Sequence, residues 1–320
     1  MEKLIVTTSP HFKHPTTTMH IMRDMLIALT PAVIAAVVIH GIYALLMIVV
    51  TTAAAVLSEF LFNVLTKKPH TTGDLSAAVT GVLLALNLST KVELWQCVVG
   101  AVFAIVVVKC LFGGIGCNFA NPAITARVFM LIAFTQVAGG QLAGSPAGGG
   151  VDLVGGATPL EALTGGTPVS ELPNLVDMLF GVRGGTIGEG CAIALLIGFI
   201  YLVVRGIINW GVPTAFVGTV FVLALLITGD PMVALYHVLS GGLLLGAIFM
   251  ATDYVTTPIN KVGKMVFALG CGLITVLIRF FGSYPEGVSF AILIMNIVSP
   301  YIEKWCAKTP LGKEGKKNEK

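Results

Sequence analysis

The sequence predicts an all-α polytopic membrane protein of about ten transmembrane helices, and three observations predict it. Of 320 residues, 56% are hydrophobic and only 11% are charged, whereas soluble domains carry about 25% charged residues. The mean hydropathy is +0.92. The apolar residues also gather in runs close to the ~20 residues that a helix needs to cross the hydrocarbon. A soluble protein of this size could not coat its surface with so few charges.

The elements follow in order. Residues 1–23 hold Pro10, Pro15, several threonines and scattered charges, without the apolar centre of a signal peptide. They read as a cytoplasmic segment. Runs bounded by charge, Pro or Gly then predict spans at 24–40, 42–65, 75–89, 94–111 and 122–138, a first bundle over 24–138. Residues 139–186 form a Gly-rich loop, with Asp152, Glu161, Glu171 and Asp177 against a lone Arg183. A loop this long in a compact protein is functional or disordered. Spans at 187–205, 212–228, 232–251, 262–280 and 286–303 make a second bundle over 187–303, and 304–320 is a basic tail.

Charge orients the bundle. With the N-terminus inside, fifteen Lys and Arg face the cytoplasm, among them Lys67, Lys68, Lys109 and Arg205. Three, Lys91, Arg183 and Arg279, face outward, and Arg127 falls within the fifth span. Positive residues prefer the cytoplasmic side. Both termini are therefore expected in the cytoplasm and the 139–186 loop outside it. A short internal match, Thr80-Gly81-Val82-Leu83-Leu84 with Ser240-Gly241-Gly242-Leu243-Leu244, lies in spans running in opposite directions. It suggests a five-plus-five inverted repeat, as in many transport folds.

Ionisable groups at membrane depth mark function or local pairing. Asp253 either lines an ion path or caps a helix end. Asp24 suits an interfacial ion pair, and Glu59 reaches toward the headgroups. Arg127 needs a partner, either a carboxylate or a ligand's phosphate or carbonyl oxygen. Asn87 and Asn121 stand beside helix breaks, as backbone caps or as oxygen ligands for sodium. The histidines show no metal-ligand spacing. The six cysteines form no Cys-x-x-Cys pair; they read as small hydrophobes. No Walker loop or dinucleotide fingerprint occurs, and nothing points to nucleic acid.

One stretch of the long loop carries chemistry. In Val151-Asp152-Leu153-Val154-Gly155-Gly156-Ala157-Thr158-Pro159, small neighbours leave the Thr158 hydroxyl unshielded, and Pro159 disfavours helix at the residue before it. The residues alone indicate a modification acceptor or a plain turn.

The spacing Asp-x-x-x-Gly-Ala-Thr resembles the acceptor motif of flavin transferases, which join FMN to threonine by a phosphoester. The family pattern often has Ser or Thr where this chain has Gly155. Gly113-Gly114-Ile115-Gly116-Cys117-Asn118-Phe119-Ala120-Asn121-Pro122-Ala123, the run from Gly241 to Asp253, and Glu286-Gly287-Val288-Ser289-Phe290 resemble further segments of one family. This family is the D subunit of the Rnf ion-translocating ferredoxin:NAD oxidoreductase complex, related to the B subunit of the sodium-pumping NADH:quinone reductase. The resemblance implies covalent FMN on Thr158, with Asp152, Gly156 and Ala157 completing the motif and Arg127 a candidate flavin contact. It implies a second, noncovalent flavin, riboflavin, within the spans. It also implies a flavin transferase for maturation, the A, B, C, E and G subunits as partners, and a bacterial cytoplasmic membrane. Ferredoxin and NAD would bind other subunits. The rival readings are a secondary transporter or solute channel, and a structural scaffold; neither needs a flavin acceptor.

Overall fold

The computed structural model describes residues 16–68, 71–134, 159–164, 172–181, 185–282 and 286–307. Among them no strand occurs. The chain runs α1 (Thr18–His40), α2 (Ile42–Leu65), α3 (Ser76–Leu86) and α4 (Leu94–Val102), which continues as a π-helix over Phe103–Cys110. Then come α5 (Pro122–Ala133), two short helices α6 (Pro159–Thr164) and α7 (Leu175–Phe180), and α8 (Ala192–Val204). The second half holds α9 (Gly211–Thr228), α10 (Pro231–Leu239), α11 (Leu243–Leu245) with a π-helix over Gly246–Met250, α12 (Lys261–Phe281) and α13 (Val288–Cys306).

Helix starts follow capping chemistry. Asn121 accepts from the backbone N–H of Ala123 and Ile124 at 3.0 and 3.4 Å, with Pro122 as the first helical residue of α5. Asp230 and Pro231 repeat that arrangement at α10, with Asp230 Oδ1 accepting from Met232 N at 2.8 Å. Both use an Asx cap for an orphan donor and a proline where no donor is needed. Glu93 and Gln96 form a capping box at α4.

α1, α2, α9 and α12 are long and apolar enough to cross a membrane. α10 and the Leu243–Met250 stretch make a fifth candidate span, bent by 61°. The helix over Leu94–Cys110 and helices α3, α5 and α8 are apolar but shorter. Apolar side chains such as Ile34, Val38, Leu61, Ile200 and Leu226 point outward, each more than half exposed. A water-soluble surface would not carry so many; a lipid-facing one does.

Small residues set the close crossings, as expected where lipid removes the hydrophobic drive between helices. A Cβ on Gly81 would stand 2.7 Å from Thr52 Cα, so α3 lies against the backbone of α2. A Cβ on Gly272 would stand 2.6 Å from Thr219 Cβ where α12 meets α9.

Several expected spans are cut short. The span expected at 232–251 is broken at Gly241 and Gly242, both with φ near +68°, a region that favours glycine. In the matched stretch of the first half, Gly81 instead lies inside regular helix. The span expected from 187 starts as helix only at Ala192. Residues before it turn back to cap α3: Ile187 N donates to Leu88 O at 3.0 Å and Gly188 N to Leu86 O at 2.7 Å. The described parts of the long loop are not isolated. Leu163, Leu172, Leu175 and Met178 form a small apolar cluster with Tyr236 and Leu239 of α10.

Candidate functional site: buried charge at the two ends of α3

α3 has 11 residues, about 16 Å of helix at 1.5 Å per residue. An ion pair lies at each end, with both partners buried at one and Glu286 partly exposed at the other.

At its start, Lys109 Nζ donates to Glu59 Oε1 at 2.7 Å and to Ser76 Oγ at 2.5 Å. Thr71 Oγ1 donates to the same Glu59 oxygen at 2.9 Å. Both charged side chains are 2% exposed. Glu59 therefore does not reach the headgroups, and Lys109, counted toward the cytoplasmic side, is enclosed by the bundle. The cause is mutual: each ion is expensive to bury alone and tolerable beside the other. Lys109 sits in the π-helical stretch, where Gly114 N reaches back to Lys109 O at 3.0 Å. Such wide turns recur at functional sites.

A cavity opens beside this pair. Met22, Met25 and Phe249 supply apolar walls; Lys109, Asn118, Asn121 and Asp253 supply polar ones. Asn118 Oδ1 is buried with no hydrogen-bond partner among the described residues. Asp253 lines the cavity and also braces its own turn: Oδ1 accepts from Val255 N and Oδ2 from Thr256 Oγ1, both at 3.2 Å.

Asn121 and Asn87 link the cavity to the far end of α3. Asn121 Nδ2 donates to Met250 O at 3.4 Å, and Asn87 Nδ2 approaches Met250 Sδ at 3.5 Å. Both amide oxygens already accept from protein donors. Asn121 Oδ1 caps α5, and Asn87 Oδ1 accepts from Arg127 Nη1 at 2.9 Å.

The second ion pair lies at this far end. Arg127, 2% exposed, donates through Nη1 to Asn87 O at 2.7 Å and through Nη2 to Glu286 Oε2. Its partner is thus a carboxylate together with a helix-end carbonyl. Glu286 also ties in Arg279: its backbone O accepts from Arg279 Nε at 2.9 Å. Arg279 Nη1 donates to His237 O, and Nη2 to Ser240 O at 3.0 Å and Gly241 O at 3.3 Å. Arg279, expected at the outer end of the span 262–280, is 2% exposed inside α12. It satisfies carbonyls that the break in α10 frees from helical bonding, as backbone inside a membrane requires. The Glu189 carboxylate lies on the other side of the break. A Cβ on Gly242 would stand 2.9 Å from Glu189 Oε1.

Asp24 pairs with Arg205 of the turn after α8, Oδ2 to Nη2 at 2.9 Å, and not with its neighbour Arg23. Asp152, Gly156, Ala157 and Thr158 lie outside the described residues. Among the described residues no group of three His, Cys, Asp or Glu could hold a metal ion. Sequence reasoning missed Lys109, Glu189, Arg279 and Glu286 as buried partners. A charge embedded in an apolar run is the signal that could have found the first and third.

An all-helical bundle with apolar outer faces and ion pairs enclosed within it is the architecture of a membrane-embedded protein. A model of the NQR2, RnfD, RnfE family matches residues 5–312. The chain belongs to this family. It is 44% identical over 304 residues to the D subunit of the Na(+)-translocating ferredoxin:NAD(+) oxidoreductase complex of Acetobacterium woodii, covering 94% of this chain and 93% of that one. It is 37% identical to the D subunit of the proton-translocating ferredoxin:NAD(+) oxidoreductase complex of Clostridium ljungdahlii, covering 96% of each chain. It is also 37% identical to the D subunit of the ion-translocating oxidoreductase complex of Stutzerimonas stutzeri, covering 92% of each.

Proposed function

We propose that the chain is the flavin-carrying membrane subunit of a complex that couples ferredoxin:NAD oxidoreduction to translocation of sodium or protons. The observation that carries this reading is similarity along nearly the whole chain to proteins named as the D subunits of such complexes. FMN is held by a phosphoester on Thr158, within the motif that begins at Asp152. The flavin supplies the electron transfer, and the protein supplies position and electrostatics. The A, B, C, E and G subunits are its partners, and a flavin transferase attaches the FMN.

Riboflavin is bound noncovalently within the spans, and Asp253, at the cavity beside α3, borders the ion path. The membrane part comprises ten spans arranged as a five-plus-five inverted repeat in the bacterial cytoplasmic membrane. Both termini are cytoplasmic and the loop bearing Thr158 is external. The short helices α3 and α11 support the repeat: each starts from a left-handed residue, Leu75 at φ +63° and Gly242 at φ +67°.

The test is a denaturing gel viewed under ultraviolet light, with the chain made in a host containing the flavin transferase. A fluorescent band with the intact mass of an FMN adduct is expected, and Thr158→Ala should be dark. A dark wild-type band defeats the covalent-flavin reading, and fluorescence in Thr158→Ala places the acceptor elsewhere.

A further inference from the structure

α13 carries one side chain whose whole polar end is unmet. Asn296, 2% exposed, has no hydrogen-bond partner at either Nδ2 or Oδ1 among the described residues. Other buried asparagines are tied in: Asn63 to Thr71, Asn87 to Leu83 O and Arg127, Asn121 to the first turn of α5 and to Met250 O. A buried amide without partners is costly, and protein interiors meet such groups with protein or with water.

The contacts of α13 place this amide. A Cβ on Gly246 would stand 2.6 Å from Val288 Cγ1 and 3.3 Å from Ile292 Cδ1. Asn296 comes one turn after Ile292, on the same face. Farther along, a Cβ on Gly263 would stand 2.9 Å from Pro258 Cβ and 3.7 Å from Ile302 Cγ2. The chain between Gly246 and Pro258 therefore runs beside α13 from Ile292 to Ile302, and Asn296 lies between those contacts. α5 closes the seam: it packs on α13, and Asn121 at its start donates to Met250 O at 3.4 Å.

The same stretch of chain carries Asp253, Thr256 and Thr257. Both threonines are buried and donate to Asp253, Thr256 Oγ1 to Oδ2 at 3.2 Å and Thr257 Oγ1 to the backbone O at 2.6 Å. Their hydroxyls keep lone pairs that can accept. Ser299, one turn beyond Asn296, is buried as well.

We propose that the Asn296 amide holds internal water in this seam, as a second polar station of the ion path that Asp253 borders. The chemistry selects the occupant. Water both donates and accepts, so it meets both ends of the amide. A bare cation would satisfy Oδ1 alone and face the hydrogens of Nδ2. A larger ligand would need a cavity such as the one beside α3, which Asn296 does not line; a water needs only ~30 Å³ and two to four polar partners. The place on an ion path rests on the proposed reading of Asp253; the water itself does not.

The test uses the assembled complex, imaged by electron cryomicroscopy at a resolution that shows water. The same complex in liposomes is followed for sodium and for proton uptake during ferredoxin:NAD oxidoreduction. Solvent density within hydrogen-bond reach of both amide atoms is expected, unchanged when choline replaces sodium. Asn296→Leu and the smaller Asn296→Val should lose that density and slow uptake about tenfold, the order of losing one hydrogen-bonded step. Asn296→Ser keeps a hydroxyl beside room for a second water and should retain most of the uptake. Amide atoms met by protein groups, or density that vanishes without sodium, overturn the water site. Wild-type uptake in the apolar variants overturns its place on the path. A wild-type complex that takes up neither ion overturns the ion-translocation reading, and the density still decides the water site.

Discussion

Lys109 and Glu59 show what a single pair does inside the bundle. Each is 2% exposed, so removing one strands the other. Breaking such a pair costs about 3–5 kcal/mol, whereas replacing both partners by apolar residues is often nearly neutral. Lys109→Met should therefore lower the thermal midpoint of the purified protein sharply, and adding Glu59→Leu should recover most of the loss. Equal midpoints for the single variant and the wild type would show the pair contributes little. At this scale the sequence was only partly legible. It showed that Arg127 needed a partner and offered a carboxylate as one choice. It could not find Glu286, because 159 residues separate the two. It counted Lys109 toward the cytoplasmic side and Arg279 toward the outer side, because both stand near the ends of apolar runs and charge counting has no depth coordinate.

Helices were more legible than pairs. The long elements α1, α2, α9 and α12 coincide with expected spans, since length and apolarity are written locally. Breaks were less so. Hydropathy is blind to φ, and Ser240-Gly241-Gly242 is flanked on both sides by apolar residues that mask the interruption. The start expected at 187 failed for a related reason: Thr186–Glu189 turns back onto α3, a contact with residues about a hundred positions away. Packing between elements yields a direct prediction. A methyl on Gly81 meets the backbone of α2, which cannot move aside as a side-chain tip can. Overpacking of this kind costs about 1–3 kcal/mol. Gly81→Ala should lower the temperature at which the monodisperse peak is lost on size exclusion, while Gly73→Ala, open on all sides, should not. The reverse order would mean α2 and α3 are not in close contact.

The bundle as a whole has an orientation that charge alone predicts, and the proposed flavin attachment at Thr158 depends on it. Gly165→Cys, in a chain whose exposed Cys117 is replaced by alanine, should react with a membrane-impermeant maleimide in intact cells. Labelling only after lysis would invert the topology and place the Thr158 loop inside. Family membership was readable from the motifs, whose resemblance spans most of the chain, whereas the enclosed charge network depended on distant contacts and was not.

Arg279 also sets an order of events during synthesis. The carbonyls it satisfies belong to residues made about 40 positions earlier, Gly241 being 38 residues upstream. When α10 and α11 leave the ribosome, their break has no donor in the hydrocarbon, where an unmet carbonyl costs several kcal/mol. The bent span must therefore wait, near the insertion machinery or beside water, until α12 arrives. A nascent chain stopped at residue 260 should be extracted and degraded faster than one stopped at 282, as pulse-chase measurement would reveal. Arg279→Leu in the longer chain should restore the fast decay; equal lifetimes for the two stopped chains would mean the break finds its donors elsewhere.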